Sequence, residues 1–181
     1  LGQAVNGRTI EQAKNTVQHT QLIASLLLLN EELLNVYGLQ VDPDADTYAL
    51  IQASLVQAPM LGEKLGVLRA QGASALGARA LTPQAKGQLL VVRQRVAELE
   101  ADTFRGLERA FQTNPALRSA LDANAQAVRS KIAQALQLTE RDVIGAAELT
   151  LPSKDYFDAF TRTIEALNAL NIQAMARLET A

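Results

Sequence analysis

Apolar residues recur along the chain at spacings that alternate between three and four, which is the period of a helix packed in a bundle. We call each such row of positions a seam. The first seam comprises Ala13, Thr16, Thr20, Ile23, Leu27, Asn30, Leu34 and Tyr37. Two others comprise Leu89, Val92, Val96, Leu99, Thr103 and Gly106, and Phe157, Phe160, Ile164, Leu167, Asn171, Ala174 and Leu178. A further one, with one interval of seven, comprises Leu117, Leu121, Val128, Ile132 and Ala135. These four seams predict four long helices, and the polar seam residues Asn30, Thr103 and Asn171 are typical of positions that set helix register.

Local signals predict where these helices begin and end. Gly38 follows the first seam and is a typical helix stop. Thr82-Pro83 and Asn114-Pro115 both place a capping residue before a proline at the first helical position. Ser153 is the expected cap of the last helix.

Two shorter helices are predicted between the first and second seams, at about 45–57 and 60–79, with a break or kink at Pro59. Asp44 or Asp46 can cap the first of them. The predicted fold is therefore all-α, an elongated antiparallel bundle of about six helices, four long and two short, that resembles a four-helix bundle. Residues 1–181 are interpreted as one domain, in which 39–82 is an insertion or a second small module.

Composition supports the helical interpretation and excludes much chemistry. Ala and Leu, both strong helix formers, fill about a third of the chain, whereas aromatic residues make up only 4%. There is no Cys, and His19 is the single histidine, which excludes thiolate sites and sites that need two imidazoles. No catalytic constellation, metal motif or cofactor motif occurs, so we predict neither an enzyme nor a cofactor. The net charge of −2 argues against nucleic-acid binding.

Small-ligand recognition remains, and Arg69 is the leading candidate to bind an anion. It follows Leu65 and Leu68 and therefore borders the apolar face of its helix. Nearby glycines, such as Gly66 and Gly72, either permit close helix packing or thin the helix beside a pocket. The alternative for Arg69 is a salt bridge at the rim of the core, or a side chain whose stem covers apolar surface.

Four further residues are weaker ligand candidates: Tyr48, Tyr156, Thr161 and Arg93. Both tyrosines follow predicted helix starts, where unpaired amides favour anions, although a tyrosine there also commonly covers the core. Thr161 and Arg93 each lie beside a seam residue, and Arg93 could instead contact a neighbouring helix. Because several aromatic residues lie near helix starts, we expect any pocket at that end of the bundle.

Several stretches resemble the extracytoplasmic sensor segments of bacterial transmembrane receptors. They are Ser54-Leu-Val-Gln-Ala-Pro-Met-Leu-Gly-Glu-Lys-Leu-Gly-Val-Leu-Arg-Ala-Gln-Gly-Ala73, Asp155-Tyr-Phe-Asp-Ala-Phe-Thr-Arg-Thr-Ile-Glu-Ala-Leu167, Leu81-Thr-Pro-Gln-Ala and Asn114-Pro-Ala-Leu-Arg118. Such segments occur in methyl-accepting chemotaxis proteins, sensor histidine kinases and diguanylate cyclases. The resemblance covers about residues 40–175 and rests on short phrases.

The resemblance implies a periplasmic helical bundle of an inner-membrane receptor, which works as a homodimer. It implies a small-molecule ligand, an anion or an amino acid, or else a periplasmic binding protein as partner. The chain starts at Leu1 and stops within a predicted helix, so we expect a piece of a longer protein with transmembrane helices beyond both ends. The alternative is a non-catalytic helical scaffold or adaptor that binds other proteins.

Overall fold

The computed structural model describes residues 12–41 and 43–178, which form two compact units that divide between Leu39 and Gln40. All regular structure in these residues is helical, as the seams predict, and no strand occurs among them. None of the helices in these two ranges is long and apolar enough to cross a membrane.

The first unit contains helix α1, Gln12–Val36. It ends where predicted, because Gly38 adopts a φ of 70° and its amide donates to the Asn35 carbonyl. Ile23, Leu27 and Asn30 of the predicted seam are half-buried, whereas Tyr37 is exposed. A second row of apolar side chains on α1, spaced four and three apart, is exposed: Leu22, Leu26, Leu29, Leu33 and Val36.

The second unit contains the remaining helices. A short 3-10 turn, Leu39–Val41, spans the division between the two units. Helix α2 is Ala45–Ile51, α3 is Ala58–Ala78, α4 is Pro83–Thr113, α5 is Pro115–Thr139 and α6 is Ser153–Leu178. Two π-helical segments, Gln52–Gln57 and Glu140–Ile144, follow α2 and α5 respectively.

Within this second unit, α3, α4, α5 and α6 form an antiparallel four-helix arrangement. Each helix packs against two neighbours, in the order α3, α4, α5, α6 and back to α3. One hydrophobic cluster extends from Ala49 to Ala174 and draws on every helix of the unit. Residues 45–78 therefore share their core with the long helices and have no separate core.

The proline caps form as predicted. Thr82 accepts the Ala85 amide at its hydroxyl oxygen, and the Asn114 side chain accepts the amides of Ala116 and Leu117. The prediction for Ser153 is wrong, because Ser153 is already helical and its hydroxyl donates to the Ala73 carbonyl of α3. The hydroxyl thus joins two helices instead of capping one.

The two predicted short helices form close to their expected bounds, but no break in the helical backbone separates them at Pro59. The backbone stays helical from α2 through the first π-helical segment into α3, with Ile51, Gln52, Gln57 and Ala58 all in right-handed helical conformation. In this segment the Ala58 amide donates to the Ala53 carbonyl, five residues back. The wider turn accommodates Pro59, which has no amide hydrogen to donate.

Close packing explains two glycines. A Cβ on Gly72 would overlap the ring of Tyr156, and a Cβ on Gly106 would lie 3.0 Å from that of Ala53. A Cβ on Gly66, by contrast, would have nothing within 4 Å. Thus Gly72 permits α6 to approach α3, and Gly106 permits the first π-helical segment to approach α4.

Candidate functional site

The interface between α3 and α6 brings together two residues that the sequence singled out, Arg69 and Thr161. The Nη1 of Arg69 donates to the Thr161 hydroxyl oxygen over 2.8 Å, although the two residues are 92 positions apart. One turn before Thr161, the ring of Phe157 lies beneath the guanidinium, with 4.4 Å between Cζ and the ring centroid. The Thr161 hydroxyl in turn donates to the Phe157 carbonyl. These contacts orient the guanidinium from two sides.

No carboxylate neutralises Arg69 within the described part of the chain. Seven ion pairs occur there, and none of them includes Arg69. Its Nε is buried and has no acceptor among the described residues. A guanidinium carries five N–H donors, of which the Thr161 hydroxyl accepts one and the buried Nε–H finds no acceptor among the described residues. Within the same residues, the rim salt bridge considered from the sequence is not formed.

Tyr156 lies in the core next to this pair and does not face a pocket. It is fully buried, and its hydroxyl lies 2.9 Å from that of Thr139 and 3.3 Å from the carbonyl oxygen of Leu68, to which it donates. Burial raises the pKa of the Tyr156 phenol above its ordinary value, despite the bond to Thr139. The phenol therefore stays protonated and holds α3, α5 and α6 together through hydrogen bonds.

Tyr48 lies at the other end of the four-helix arrangement, so helix starts do not converge as expected. Its neighbour Thr47 shares a groove of about 190 Å³ with Arg177, at the carboxyl end of α6. Thr161 lies about 24 Å from that position along the helix axis, at 1.5 Å per residue. The structure therefore does not bring Tyr48 together with Arg69. Asp46 lies at the same end. Its carboxylate accepts a hydrogen bond from the side-chain amide of Asn114 over 2.8 Å, and this bond lowers the pKa of Asp46.

Arg93 contacts a carboxylate from another element. Its Nε lies 3.2 Å from the Oε2 of Glu140, the first residue of the second π-helical segment. The contact with a neighbouring helix, considered from the sequence, is thus the one observed. Because both side chains are partly solvent-exposed, the pair contributes little to stability.

A groove between α5 and α6 contains two cations that the sequence did not single out. Lys131 and Gln134 line it from α5, Arg162 lines it from α6, and Ala135 and Ala159 form part of its floor. Its volume is about 240 Å³. Lys131 precedes the seam residue Ile132, and Arg162 precedes the buried Thr163. That position beside the buried face is the one sequence signal that could have found them.

A small cavity of about 10 Å³ lies inside the second unit, between the first π-helical segment, α4 and α6. Its lining includes three polar residues, Ser54, Thr103 and Asn171. The Thr103 hydroxyl donates to its own helix, at Leu99, whereas the Oδ1 of Asn171 is buried without a donor in the described residues. The space fits one water at most, so this cavity cannot hold a larger ligand.

Metal binding has no candidate in the residues described, where no three His, Asp or Glu side chains come together. His19 is exposed on α1. Comparisons of the chain with protein-family models, curated proteins and solved structures find no match. The geometry around Arg69 therefore carries the functional proposal alone.

Proposed function

We propose that this chain is the extracytoplasmic sensor domain of a bacterial transmembrane receptor of the chemotaxis type, and that Arg69 and Thr161 bind a small anionic ligand. The observation that carries this proposal is the guanidinium of Arg69, held between two helices by Thr161 and Phe157 without a carboxylate partner in the described residues. A carboxylate on the ligand would accept two parallel hydrogen bonds from one edge of the guanidinium.

The site joins the two helices whose relative position would carry the signal. Arg69 belongs to α3, and Thr161 belongs to α6, which continues to Leu178. A ligand that takes hydrogen bonds from both Arg69 and Thr161 would replace the bond that joins these two residues, so the bound and unbound states favour different contacts between α3 and α6. A small displacement of α6 along α3 would then pass toward the membrane.

The proposed location is periplasmic, in an inner-membrane protein, and the proposed assembly is a homodimer. The exposed apolar row on α1 supports the dimer, since Leu22, Leu26, Leu29 and Leu33 follow the heptad spacing with which two helices pair. The same row favours a second candidate function, a scaffold that binds other proteins through α1. A periplasmic binding protein is a further candidate partner for either surface.

A thermal-shift screen with small dicarboxylates, amino acids and inorganic anions tests the ligand proposal. We expect at least one compound to raise the melting temperature, since a ligand that binds only the folded state stabilises it. Arg69→Lys keeps the charge but loses the paired donors, and we expect it to weaken that compound's binding about tenfold or more.

Arg109→Lys is the matched control, because Arg109 is exposed on α4 and forms none of the seven ion pairs. Binding that is unchanged in Arg69→Lys would overturn the site. A screen without any hit would instead favour the scaffold function. The gene sequence on both sides of residues 1–181 tests the receptor separately, because the receptor requires an apolar span of about 20 residues on each side.

A further inference from the structure

We infer that the groove between α5 and α6 is a second anion site, which takes a small dianion, either a dicarboxylate or a phosphate. The inference is independent of the Arg69 proposal, because it rests on other residues and on another face of α6. Lys131 and Arg162 approach the groove from the two opposite helices, and no carboxylate is among its lining residues.

No carboxylate among the described residues forms an ion pair with either cation of the groove. Neither Lys131 nor Arg162 belongs to any of the seven ion pairs of the described residues. Asp158, one turn before Arg162, is paired with Lys154, and neither of these two residues lines the groove. In a chain of net charge −2, two like charges that share one hollow repel each other, and a dianion between them would remove that repulsion.

The shape of the groove limits the size of the ligand. The hollow exists because Ala135 and Ala159, on facing helices, have small side chains where larger ones would fill the space. A volume of about 240 Å³ is below the range typical of sites for drug-sized molecules, which begins at about 300 Å³. A dicarboxylate of few carbons or a phosphate fits this volume and matches two cations with two negative charges.

The donors suit oxygen ligands on both sides. Lys131 supplies an ammonium, Arg162 supplies a planar guanidinium, and the Gln134 side-chain amide already contacts the Ser130 hydroxyl over 3.4 Å. A dianion would therefore cross-link α5 to α6 at a position where no ion pair connects those two helices directly within the described residues.

Titration of the 181-residue chain at low ionic strength tests this inference, with succinate and inorganic phosphate as dianions and acetate as the monoanion. The readout is the NMR signal of the Ala135 and Ala159 methyl groups, which lie in the groove. We expect saturable shifts with succinate, with phosphate or with both, and much weaker binding of acetate. The stronger of the two dianions identifies the ligand class.

Lys131→Gln and Arg162→Gln should each weaken that binding about tenfold, the effect of one lost charge-assisted hydrogen bond. Both residues are exposed, so the variants should fold, and circular dichroism checks this. Arg109→Gln removes the same charge outside the groove and should leave binding unchanged. The inference is overturned if neither dianion gives saturable shifts, or if Arg109→Gln weakens binding as much as Arg162→Gln.

Discussion

Helix α6 meets its two neighbours in different ways. Against α3 it is tightly packed, with the Tyr156 ring over Gly72 and hydrogen bonds from Ser153 and to Thr161. Against α5 it leaves a groove of about 240 Å³ between facing alanines. At Gly72 the first interface has no space for added atoms, whereas the second interface contains an open groove. The interface with α3 therefore tolerates little added volume beside Tyr156, and the interface with α5 can admit a small molecule.

The largest expected effect comes from adding three carbons to the tight interface. Gly72→Val should lower the free energy of unfolding by about 2–3 kcal/mol, because the Tyr156 ring occupies the space and the core cannot relax fully. Chemical denaturation measures the change. Gly66→Val is the matched control on the same helix, since nothing lies within 4 Å of its Cβ position, and it should change the stability by less than about 0.5 kcal/mol. Equal losses in the two variants would show that helix propensity, and not the Tyr156 contact, dominates.

A smaller effect is expected from the phenol of the same interface. Tyr156→Phe should cost about 1–2 kcal/mol at neutral pH, because the Leu68 carbonyl and the Thr139 hydroxyl lose a partner. The pKa of the Tyr156 phenol is raised in the folded protein, so above about pH 10 the unfolded chain loses this proton first and stability falls as the pH rises. In Tyr156→Phe this part of the slope, at most about 1.4 kcal/mol per pH unit, should disappear. If the free energies of unfolding of the original protein and of Tyr156→Phe changed equally between about pH 9 and 11, the burial of the phenol would be contradicted.

Features set by residues close together along the chain were predictable from the sequence, whereas features set by contacts between helices were not. The starts of α4 and α5 and the end of α1 were predictable, because Thr82, Asn114 and Gly38 act within a few residues of the backbone they cap. The continuity of the helical backbone through Pro59 was not predictable, because it depends on a π-helical turn that accommodates the missing amide hydrogen. Local signals thus specify helix ends, but not how a neighbouring segment accommodates an irregularity.

The candidate site shows the same limit. Arg69 and Thr161 were both recognisable, because each borders the apolar face of its own helix. For Tyr156 the sequence left a tyrosine that covers the core as an alternative, but it did not indicate full burial, which depends on the space that Gly72 leaves on another helix. The groove was missed for a similar reason, since Ala135 and Ala159 leave it only by facing each other across two helices. The register between two helices decides which residues face each other, and the periodic pattern within one helix does not specify that register.

The smallest expected change in stability comes from adding three carbons to the open interface. Ala159→Leu adds as many carbons to α6 as Gly72→Val adds to α3, but the added atoms would enter the groove. We therefore expect the free energy of unfolding to change by less than about 0.5 kcal/mol. The same variant should abolish the binding of succinate or phosphate in the groove, because the leucine fills the space that the dianion needs, while binding at Arg69 should persist. A large loss of stability in Ala159→Leu would show that the two interfaces are equally tight, and the groove would then not be a binding site.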